Sequence, residues 1–434
     1  MNLDRLNILV LHRLGDPRSW RSSMVEHELC LPLFAPGHNY LVHNAALPLP
    51  KFVRDIKFDG IVLCQTFLGR RRDPAAFQRV LRKYQFVAES SAFKIALPQD
   101  DYACSAILDR WMVDWGVDLV YPVCAGHWDV LYPKYSRVGR LRQGYTGYIS
   151  ETMRRRWEAP KPASARRIDV SYRAAKLPPN YGRLGYLKGV IGERFVAAAR
   201  GRGLMLDISN DPKDIIVGAR WHEFIEDSRF VLGAVSGSSL IDPDGSINLR
   251  VYDYLVWHPN APFEEVEAAC FPGQDGRHVF TAISPRNIEC GLIGSVQILT
   301  PGHYSGMLEA GVHYIPVEPD MSNADEVFAR MADAAGTARV AQACREALLS
   351  YKRFRYGHHV AEILGEIIGA ARTGGRAAAS SAQQALFNRY LDHIAEVEPA
   401  YWRRMRTVEA MRRTLVALGA RRVKRMLVGP AGGR

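Results

Sequence analysis

The chain has 434 residues, of which 47% are apolar and 24% are charged, and this composition excludes an intrinsically disordered protein. A single core rarely extends beyond about 250–300 residues, so the length predicts at least two domains. The net charge of +12 suggests nucleic-acid binding, but ten basic residues and one acid lie between Tyr401 and Arg434. Because the first 400 residues carry only +3, the charge belongs to the C-terminal tail.

The sequence also predicts the compartment. No stretch reaches the roughly 18 apolar residues that a membrane-spanning helix needs. The apolar residues 7–11 have no small-residue cleavage site behind them. The seven cysteines form neither a CxxC pair nor a zinc-binding spacing. We therefore expect a cytoplasmic protein whose cysteines are small buried hydrophobic residues: Cys30, Cys64, Cys104, Cys124, Cys270, Cys290 and Cys344.

The first third of the chain alternates between predicted strands and helices. The predicted strands are 7–11, 60–64, 93–97 and 117–122, and the predicted helices are 74–84 and 107–115. Short apolar strands that alternate with helices indicate a parallel, doubly wound sheet. Ligands of such sheets bind beyond the carboxyl ends of the strands, so we expect functional residues in the loops after these strands.

A charged, Pro-containing linker over 154–167 precedes a second block of the same kind. Its predicted strands or extended segments are 168–172, 204–207, 230–232, 279–282, 296–299 and 313–317. Its predicted helices are 189–201, one from Trp221, 245–256, 284–292, 325–334 and 337–351. The predicted domains are therefore 1–155, 156–372 and, after a weak linker at 373–376, a helical basic extension over 373–434.

The extension combines an apolar stripe with a basic face. Its apolar residues recur three or four apart, at Tyr401, Met405, Val408, Met411, Leu415 and Leu418. Its basic residues are Arg403, Arg404, Arg406, Arg412, Arg413, Arg421, Arg422, Lys424 and Arg425. Such a helix suits the anionic inner surface of a membrane, or it packs on the N-terminal domain with a solvated basic face. Both interpretations stay open.

Residues 280–320 contain the most informative segment. Ser284 and Pro285 are suited to the N-cap and first position of a helix, which places Arg286 and Glu289 on one face near its start. A helix N-terminus with an adjacent arginine binds phosphate, and a carboxylate one turn later accepts hydrogen bonds from a ribose diol. The alternative is a surface ion pair between Arg286 and Glu289. The position next to the glycine-containing loop 300–306 favours a ligand site.

The order SPRNIE, Gly294, HYIPVEPDMSNADEV and RYGHHV resembles the C-terminal donor-binding half of GT-B glycosyltransferases. It is similar in particular to the spore-maturation-protein-like and CAP10/protein O-glucosyltransferase-like groups. The resemblance extends over 169–367 and is most specific over 284–327. It implies an α/β GT-B fold of two Rossmann-like, doubly wound domains facing a cleft, with the nucleotide sugar held by the second domain.

The resemblance also implies roles for residues of this segment. Arg286 would contact phosphate or sugar, and Glu289 would hold the ribose. The candidate donor-binding residues of the segment and of the loop that follows it also include Asn287, His303 and Tyr304. No metal and no cofactor beyond the nucleotide-sugar substrate is expected. Ala282 stands where many retaining enzymes have a second glutamate, so the stereochemical course is left open.

Basic residues early in the second domain are candidates for neutralising the diphosphate leaving group. Arg173, Arg183 and Lys188 follow its first strand, and fixed cations stabilise the negative charge that develops as a nucleoside diphosphate departs. The alternative is three solvated cations at a domain edge. Ser236 lies in a Gly/Ser loop that could cradle phosphate, although an ordinary capped loop is the more common explanation.

Aspartates near the expected cleft are candidates for a general base. Asp100 follows a first-domain strand and is our candidate catalytic residue if the enzyme inverts. Asp101, Asp242 and Asp244 are weaker candidates, since helix capping and solvation are common roles for such residues. The histidines that follow first-domain strands, His12 and His127, are expected to be structural.

These observations predict a glycosyltransferase that moves a sugar from a nucleotide-sugar donor to a saccharide or lipid-linked acceptor, in bacterial surface-polysaccharide assembly. A nucleotide-sugar epimerase of similar two-Rossmann fold is one alternative, and product analysis without an acceptor distinguishes it. A nucleic-acid-binding protein that uses the basic tail is the other. Because the charge is confined to the tail, we expect no nucleic-acid partner.

Overall fold

The computed structural model describes residues 5–20, 22–373 and 381–417. Its N-terminal half is built on a six-stranded parallel sheet with the order β2-β1-β3-β4-β5-β6. The central strands are buried on both faces, which is why they are continuous apolar runs. The strands are β1 (Asn7–His12), β2 (Asn39–Asn44), β3 (Gly60–Leu63), β4 (Phe93–Ala96), β5 (Leu119–Val120) and β6 (Arg140–Leu141).

A five-stranded parallel sheet and a small antiparallel pair form the second half. The strands are β7 (Ile168–Arg173), β8 (Leu206–Ser209), β9 (Ser228–Gly233), β10 (Ser236–Ser238), β11 (Phe280–Ala282), β12 (Val296–Leu299) and β13 (Ile315–Pro316). The large sheet has the order β13-β12-β9-β7-β8, and β10 pairs with β11. In both large sheets the first strand therefore lies between the second and the third. The strand order reverses between β1 and β3 and again between β7 and β9, and ligands of open α/β sheets bind at such switch points.

Helices cover the sheets. Those of the first half are α1 (Ser22–Glu28), α2 (Cys30–Phe34), α3 (Gln65–Leu68), α4 (Pro74–Lys83), α5 (Gln85–Glu89), α6 (Ser105–Asp114), α7 (Trp128–Leu131) and α8 (Glu151–Arg156). Those that follow are α9 (Gly182–Ala198), α10 (Ala219–Glu226), α11 (Ser246–Trp257), α12 (Phe263–Cys270), α13 (Pro285–Ile293), α14 (Ala324–Ala332), α15 (Ala334–Ser350), α16 (Tyr356–Thr373) and α17 (Ser381–Ala417). The predicted α/β fold is confirmed: two Rossmann-like, doubly wound parallel sheets flanked by helices, with a helical C-terminal segment.

The helix predicted at 189–201 begins seven residues earlier, at Gly182. Its sequence GRLGYLKGVIG contains four glycines, which disfavour a helix by roughly 1 kcal/mol each. Tertiary packing overrides that cost because the glycines let α9 approach its neighbours closely. A Cβ added at Gly192 would lie 2.9 Å from the Cγ2 atom of Ile208 and 3.1 Å from the Tyr172 ring.

The chain crosses between the two halves twice, and the two crossings are hydrogen-bonded to each other. The Ile149 amide donates to the Phe354 carbonyl at 2.6 Å, and the Tyr356 amide donates to the Ile149 carbonyl at 3.1 Å. After the second crossing, α16 packs on the first sheet. Arg142 of the first half forms ion pairs with two glutamates of α16, Glu362 at 2.6 Å and Glu366 at 2.8 Å.

The C-terminal helix α17 also packs on the first domain. The Tyr390 hydroxyl contacts His43 Nδ1 at 2.9 Å, and the Phe387 ring lies edge-on to that of Phe58. Farther along α17, Met405 and Met411 are exposed. The predicted tail residues Leu418, Arg421, Arg422, Lys424 and Arg425 lie outside the described residues, as does most of the weak linker.

The predicted role of the cysteines is confirmed, since all seven are buried and unpaired. In the three described ranges, every helix is too short or too polar to cross a membrane. The domain boundaries at 155 and 372 stay predictions.

Gly60→Ala tests the packing of α16 on the first sheet. A Cβ at this position in β3 would lie 2.5–3.0 Å from three side-chain atoms of Ile367, so we expect a loss of about 1–3 kcal/mol in the free energy of unfolding. Denaturant unfolding measures it. Gly60→Ala combined with Ile367→Ala should cost less than the sum of the two single changes. Gly365→Ala on the same helix is the control, since a Cβ there meets no neighbour. Additive single effects would contradict the contact.

Candidate functional site

A cavity of about 350 Å³ opens at the switch point of the second sheet. The carboxyl ends of β7 and β9 contribute Tyr172 and Gly233, and the start of α13 contributes Ser284 and Arg286. Ser23 of the first domain lies on the opposite side, so the cavity belongs to the cleft between the domains. Its volume is within the range of small-molecule sites.

Glu289 is held in a fixed orientation at one end of the cavity. Ser284 caps α13 and Pro285 is its first residue, as predicted, so Glu289 lies one turn into the helix. The carboxylate is 5% exposed, and its Oε2 atom accepts a hydrogen bond from the Trp221 indole at 2.7 Å. His222 Nε2 lies 3.8 Å from Oε1. The carboxylate keeps further lone pairs with which it can accept ligand hydroxyls.

Arg286 lies between two aromatic rings. Its guanidinium carbon is 5.3 Å from the centre of the Tyr172 ring and 5.4 Å from that of Trp221. One Nη atom donates to the Arg173 carbonyl. The aromatic faces stabilise the cation and restrict its position without neutralising it.

Lys188 brings a second cation to the same place. It extends from α9, and its ammonium donates to the Ser236 hydroxyl at 3.1 Å. Burial, and then the charge of Arg286, lower the pKa of Lys188 to about 8, while Asp100 across the cleft partly opposes the shift. Among the described residues, no carboxylate oxygen lies within 4 Å of either cation. A bound anion would therefore offset the electrostatic cost of placing these two cations in one cavity.

The other two predicted cations are engaged elsewhere. Arg173 lines the cavity, but its guanidinium pairs with Asp207 at 2.6 Å and donates to two backbone carbonyls. Arg183 lies outside the cavity, with ion pairs of 3.1 Å to Glu264 and 3.0 Å to Glu267. Of the three, only Lys188 has its charged group directed into the cleft.

Among the other donor-site candidates, Asn287 and Tyr304 have structural contacts. Asn287 borders the cavity, but its side chain completes the capping box of α13 and donates to Gln297 at 2.8 Å. Tyr304 is fully buried, and its hydroxyl donates to the Thr300 carbonyl at 2.7 Å. His303 is exposed and does not line the cavity. Ser236 does line it.

Asp100 faces the second domain from the loop after β4. Its carboxylate pairs with Arg72 and accepts a hydrogen bond from the Tyr102 hydroxyl at 2.9 Å. Desolvation opposes its charge, but the attraction of Arg72 and the Tyr102 hydrogen bond outweigh it and lower the pKa of Asp100. Its backbone has a φ of 50°, a left-handed conformation that aspartate adopts more readily than most residues other than glycine. Asp100 is thus an ionised group at the cleft.

The neighbouring aspartates differ from Asp100. Asp101 is buried, and burial raises its pKa to about 6. Asp242 accepts hydrogen bonds from the amides of Gly245, Ile247 and Asn248 at the start of α11. Asp244 accepts from the Ser246 amide. Helix capping therefore accounts for Asp242 and Asp244.

Some lining residues were missed by sequence reasoning. Trp221 was noted only as the start of a helix, yet its indole contacts both Glu289 and Arg286. The loop 214–218 closes one side of the cavity, and Gly218 has a φ of 66° just before α10. Glu26 of α1 lies close enough to Glu289 for that charge to affect it: burial and then Glu289 raise the pKa of Glu26, while His222 lowers it. A glycine three residues before a tryptophan was the signal that the sequence offered.

A search for metal ligands gives no candidate: within the ranges that the structure describes, no three His, Cys, Asp or Glu side chains are grouped so as to hold an ion.

No protein-family model and no curated protein sequence matches this chain. Solved structures do match over most of its length. HepE from Anabaena in complex with UDP and glucose is 12% identical, with 83% of this chain and 100% of that chain covered and a TM-score of 0.40. Sucrose-phosphate synthase from Thermosynechococcus elongatus is 12% identical, with 85% and 100% covered and a TM-score of 0.43.

An α-glucosyltransferase in complex with UDP and a 13-mer DNA containing an HMU base is 9% identical, with 84% and 100% covered and a TM-score of 0.49. With every one of these TM-scores below 0.5, none of the likenesses bears on what this chain binds or transfers. The specific resemblance to the spore-maturation-protein-like and CAP10-like groups stays a prediction.

Lys188→Met tests the burial of the cleft cation. Between pH about 8 and 10.5 the unfolded chain holds a proton that folded Lys188 lacks, so the free energy of unfolding should rise with pH in this window. Below pH about 8 Lys188 is charged in both states, and the full free-energy cost of burying that charge then lowers the stability of the folded protein. Lys188→Met removes the charge and should stabilise the protein at pH 7 by roughly 1–3 kcal/mol. Denaturant unfolding from pH 7 to 10.5 measures both effects. Lys176→Met, at an exposed lysine, is the control. An unchanged pH dependence in Lys188→Met would contradict the assignment.

Proposed function

We propose that this protein is a glycosyltransferase that moves a sugar from a nucleoside-diphosphate sugar to an acceptor. The observation that carries the proposal is the convergence of Lys188, Arg286 and Glu289 in one cavity at the switch point of the second sheet. Within the described part of the chain, Lys188 and Arg286 form no ion pair, and the Glu289 carboxylate lines the same cavity. This set of groups fits a ligand that contains both a diphosphate and a diol. A nucleoside-diphosphate sugar has both groups.

The two cations would take the diphosphate. Lys188 supplies a compact charge and Arg286 a planar donor set, and the rings of Tyr172 and Trp221 fix where Arg286 can act. Diphosphate binding would also keep Lys188 protonated, since an adjacent anion favours the charged ammonium. Glu289 would accept hydrogen bonds from the ribose hydroxyls with lone pairs that the Trp221 indole leaves available.

Transfer requires the bond between the anomeric carbon and the diphosphate oxygen to break. Negative charge grows on that oxygen as it leaves, and fixed cations in a desolvated cleft stabilise it more than water does. Lys188 and Arg286 are already in place, so no reorganisation is needed when the charge develops. The sugar would extend toward the first domain, where Asp100 is the candidate base for an acceptor hydroxyl.

We further propose a saccharide or lipid-linked acceptor and a role in bacterial surface-polysaccharide assembly. The exposed stripe of Met405, Val408 and Met411 on α17, next to several arginines, supports contact with an anionic membrane surface where a lipid-linked acceptor would reside. We propose that the reaction occurs on the cytoplasmic side and needs no metal or cofactor.

Arg286→Ala and Glu289→Ala test the donor site. Each removes a group that would contact the nucleotide sugar, and we expect each to lower donor turnover by at least about a hundredfold while unfolding stays cooperative. Steady-state hydrolysis or transfer of the donor measures this. Arg200→Ala and Glu193→Ala, on the exposed side of α9 and after it, are matched controls. Wild-type donor affinity in the folded Arg286 and Glu289 variants would overturn the assignment.

A thermal-shift screen of the wild-type chain against UDP, GDP, CMP and dTDP sugars identifies the donor, because a bound ligand raises the apparent stability by mass action. Product analysis of the best donor without acceptor then separates transfer from epimerisation: an epimerase changes the sugar on the intact nucleotide. Salt-sensitive nucleic-acid binding without any nucleotide-sugar response would instead support the nucleic-acid alternative.

A further inference from the structure

The first sheet has a switch point of its own, between β1 and β3, and its loops carry two arginines. Arg13 follows β1, and Arg70 lies in the short turn Gly69–Arg72 after α3. The loops are in contact, because the Arg13 amide donates to the Thr66 hydroxyl at 2.7 Å. The two domains share a strand order, so this switch point is the first-domain counterpart of the one at which the cavity with Lys188 and Arg286 opens.

Three consecutive arginines point in three directions at this edge. Arg71 is fully buried and donates to the carbonyls of Leu68, Gln99, Asp100 and Ala103, which fixes the loop after β4 to the turn. Arg72 pairs with Asp100 at the cleft. That leaves Arg70, whose Nε atom is buried without a hydrogen-bond partner.

Arg13 and Arg70 lie close together and are poorly compensated. Burial, and then the charge of Arg70, lower the pKa of Arg13. Among the described residues, no carboxylate oxygen lies within 4 Å of the Arg13 guanidinium. Asp73 is 3.6 Å from Arg70, but it also caps α4. Two like charges on adjoining loops, one of them largely desolvated, are costly unless an anion joins them.

The buried acid next to this switch point, Glu28, does not supply that anion. Glu28 is buried and accepts hydrogen bonds from the amide and the hydroxyl of Thr66, which in turn receives the Arg13 amide. Burial raises the pKa of Glu28 to about 8, so the carboxyl is mostly protonated at neutral pH. Glu28 therefore does not neutralise Arg13 or Arg70, and Asp73 is the one carboxylate of the described residues within 4 Å of either guanidinium.

We infer that Arg13 and Arg70 form a binding subsite for a phosphate or diphosphate group of the acceptor. This inference rests on the proposed function, because it places the acceptor at the first domain and requires the acceptor to carry negative charge. Two guanidinium groups can bind phosphate oxygens in bidentate fashion, and they lie on the same sheet edge as Asp100, the candidate base. A glycan carried on a lipid phosphate or diphosphate has the chemistry that this subsite recognises.

Calorimetric titration of the full chain with inorganic pyrophosphate tests the subsite. The wild type should show two sites, one in each domain. Arg13→Gln with Arg70→Gln should weaken one of them by about 10- to 100-fold and leave the other unchanged, because each lost contact is a charge-assisted hydrogen bond. Lys188→Gln with Arg286→Gln should remove the other. Arg79→Gln with Arg82→Gln is the matched control, since it deletes two exposed arginines of α4.

The outcomes separate the subsite from the donor site. Two unchanged sites in the Arg13/Arg70 double variant would overturn the inference and leave the proposed function standing. A single wild-type site, lost in the Arg13/Arg70 variant and kept in the Lys188/Arg286 variant, would support the subsite while contradicting the donor site. If the glutamine variant does not unfold cooperatively, Arg13→Lys with Arg70→Lys replaces it, with a loss of several-fold expected.

A vesicle arm distinguishes an acceptor phosphate from a membrane headgroup. Sedimentation with phosphatidylglycerol vesicles should be the same for the wild type and the Arg13/Arg70 double variant. If the variant loses vesicle binding while its pyrophosphate titration is unchanged, the pair is a membrane contact and the inference is overturned.

Discussion

The cleft of this protein depends on one electrostatic constraint: Lys188 is largely desolvated beside a second cation, Arg286, and within the described residues neither of them forms an ion pair with a carboxylate. Such an arrangement lowers the stability of the folded chain and persists only because the surrounding packing fixes it. The rings of Tyr172 and Trp221 confine the arginine, and α9 carries the lysine to the same point. Under the proposed function, this loss of stability is exchanged for affinity toward the diphosphate of the donor, which is a common relation at binding sites.

Much of the fold was predictable because the central strands are continuous apolar runs, which burial on both faces requires. The predictions failed where packing against distant residues decides the structure. The start of α9 was not predicted because its glycines disfavour a helix. One of them, Gly192, allows the helix to pack closely against Tyr172 and Ile208. Strand β2 was not predicted because its sequence, NYLVHN, contains three polar residues. Its two asparagines and its histidine form hydrogen bonds with residues that are distant in the chain, which the sequence does not reveal.

The site was predictable to a similar degree. Arg286, Glu289 and the capped start of α13 follow from local sequence, since Ser284 and Pro285 specify where the helix begins. The direction of a long side chain does not follow from sequence. Arg173, Arg183 and Lys188 are close in the chain, yet only the ammonium of Lys188 enters the cleft, because acids from other elements pair with the two arginines. Trp221 was overlooked for the same reason: its partners are distant in sequence.

The paired crossings between the domains limit how the cleft can change. Ile149 and the segment from Phe354 to Tyr356 are joined by two backbone hydrogen bonds, so both passages of the chain lie side by side. A second set of backbone hydrogen bonds joins the two halves beside the loop after β4. The Cys104 amide donates to the Asp242 carbonyl at 2.6 Å, and the Asp242 amide donates to the Tyr102 carbonyl at 2.9 Å. The backbone thus connects the two halves at two separate places, so the width of the cleft is set by the folded chain before any substrate binds.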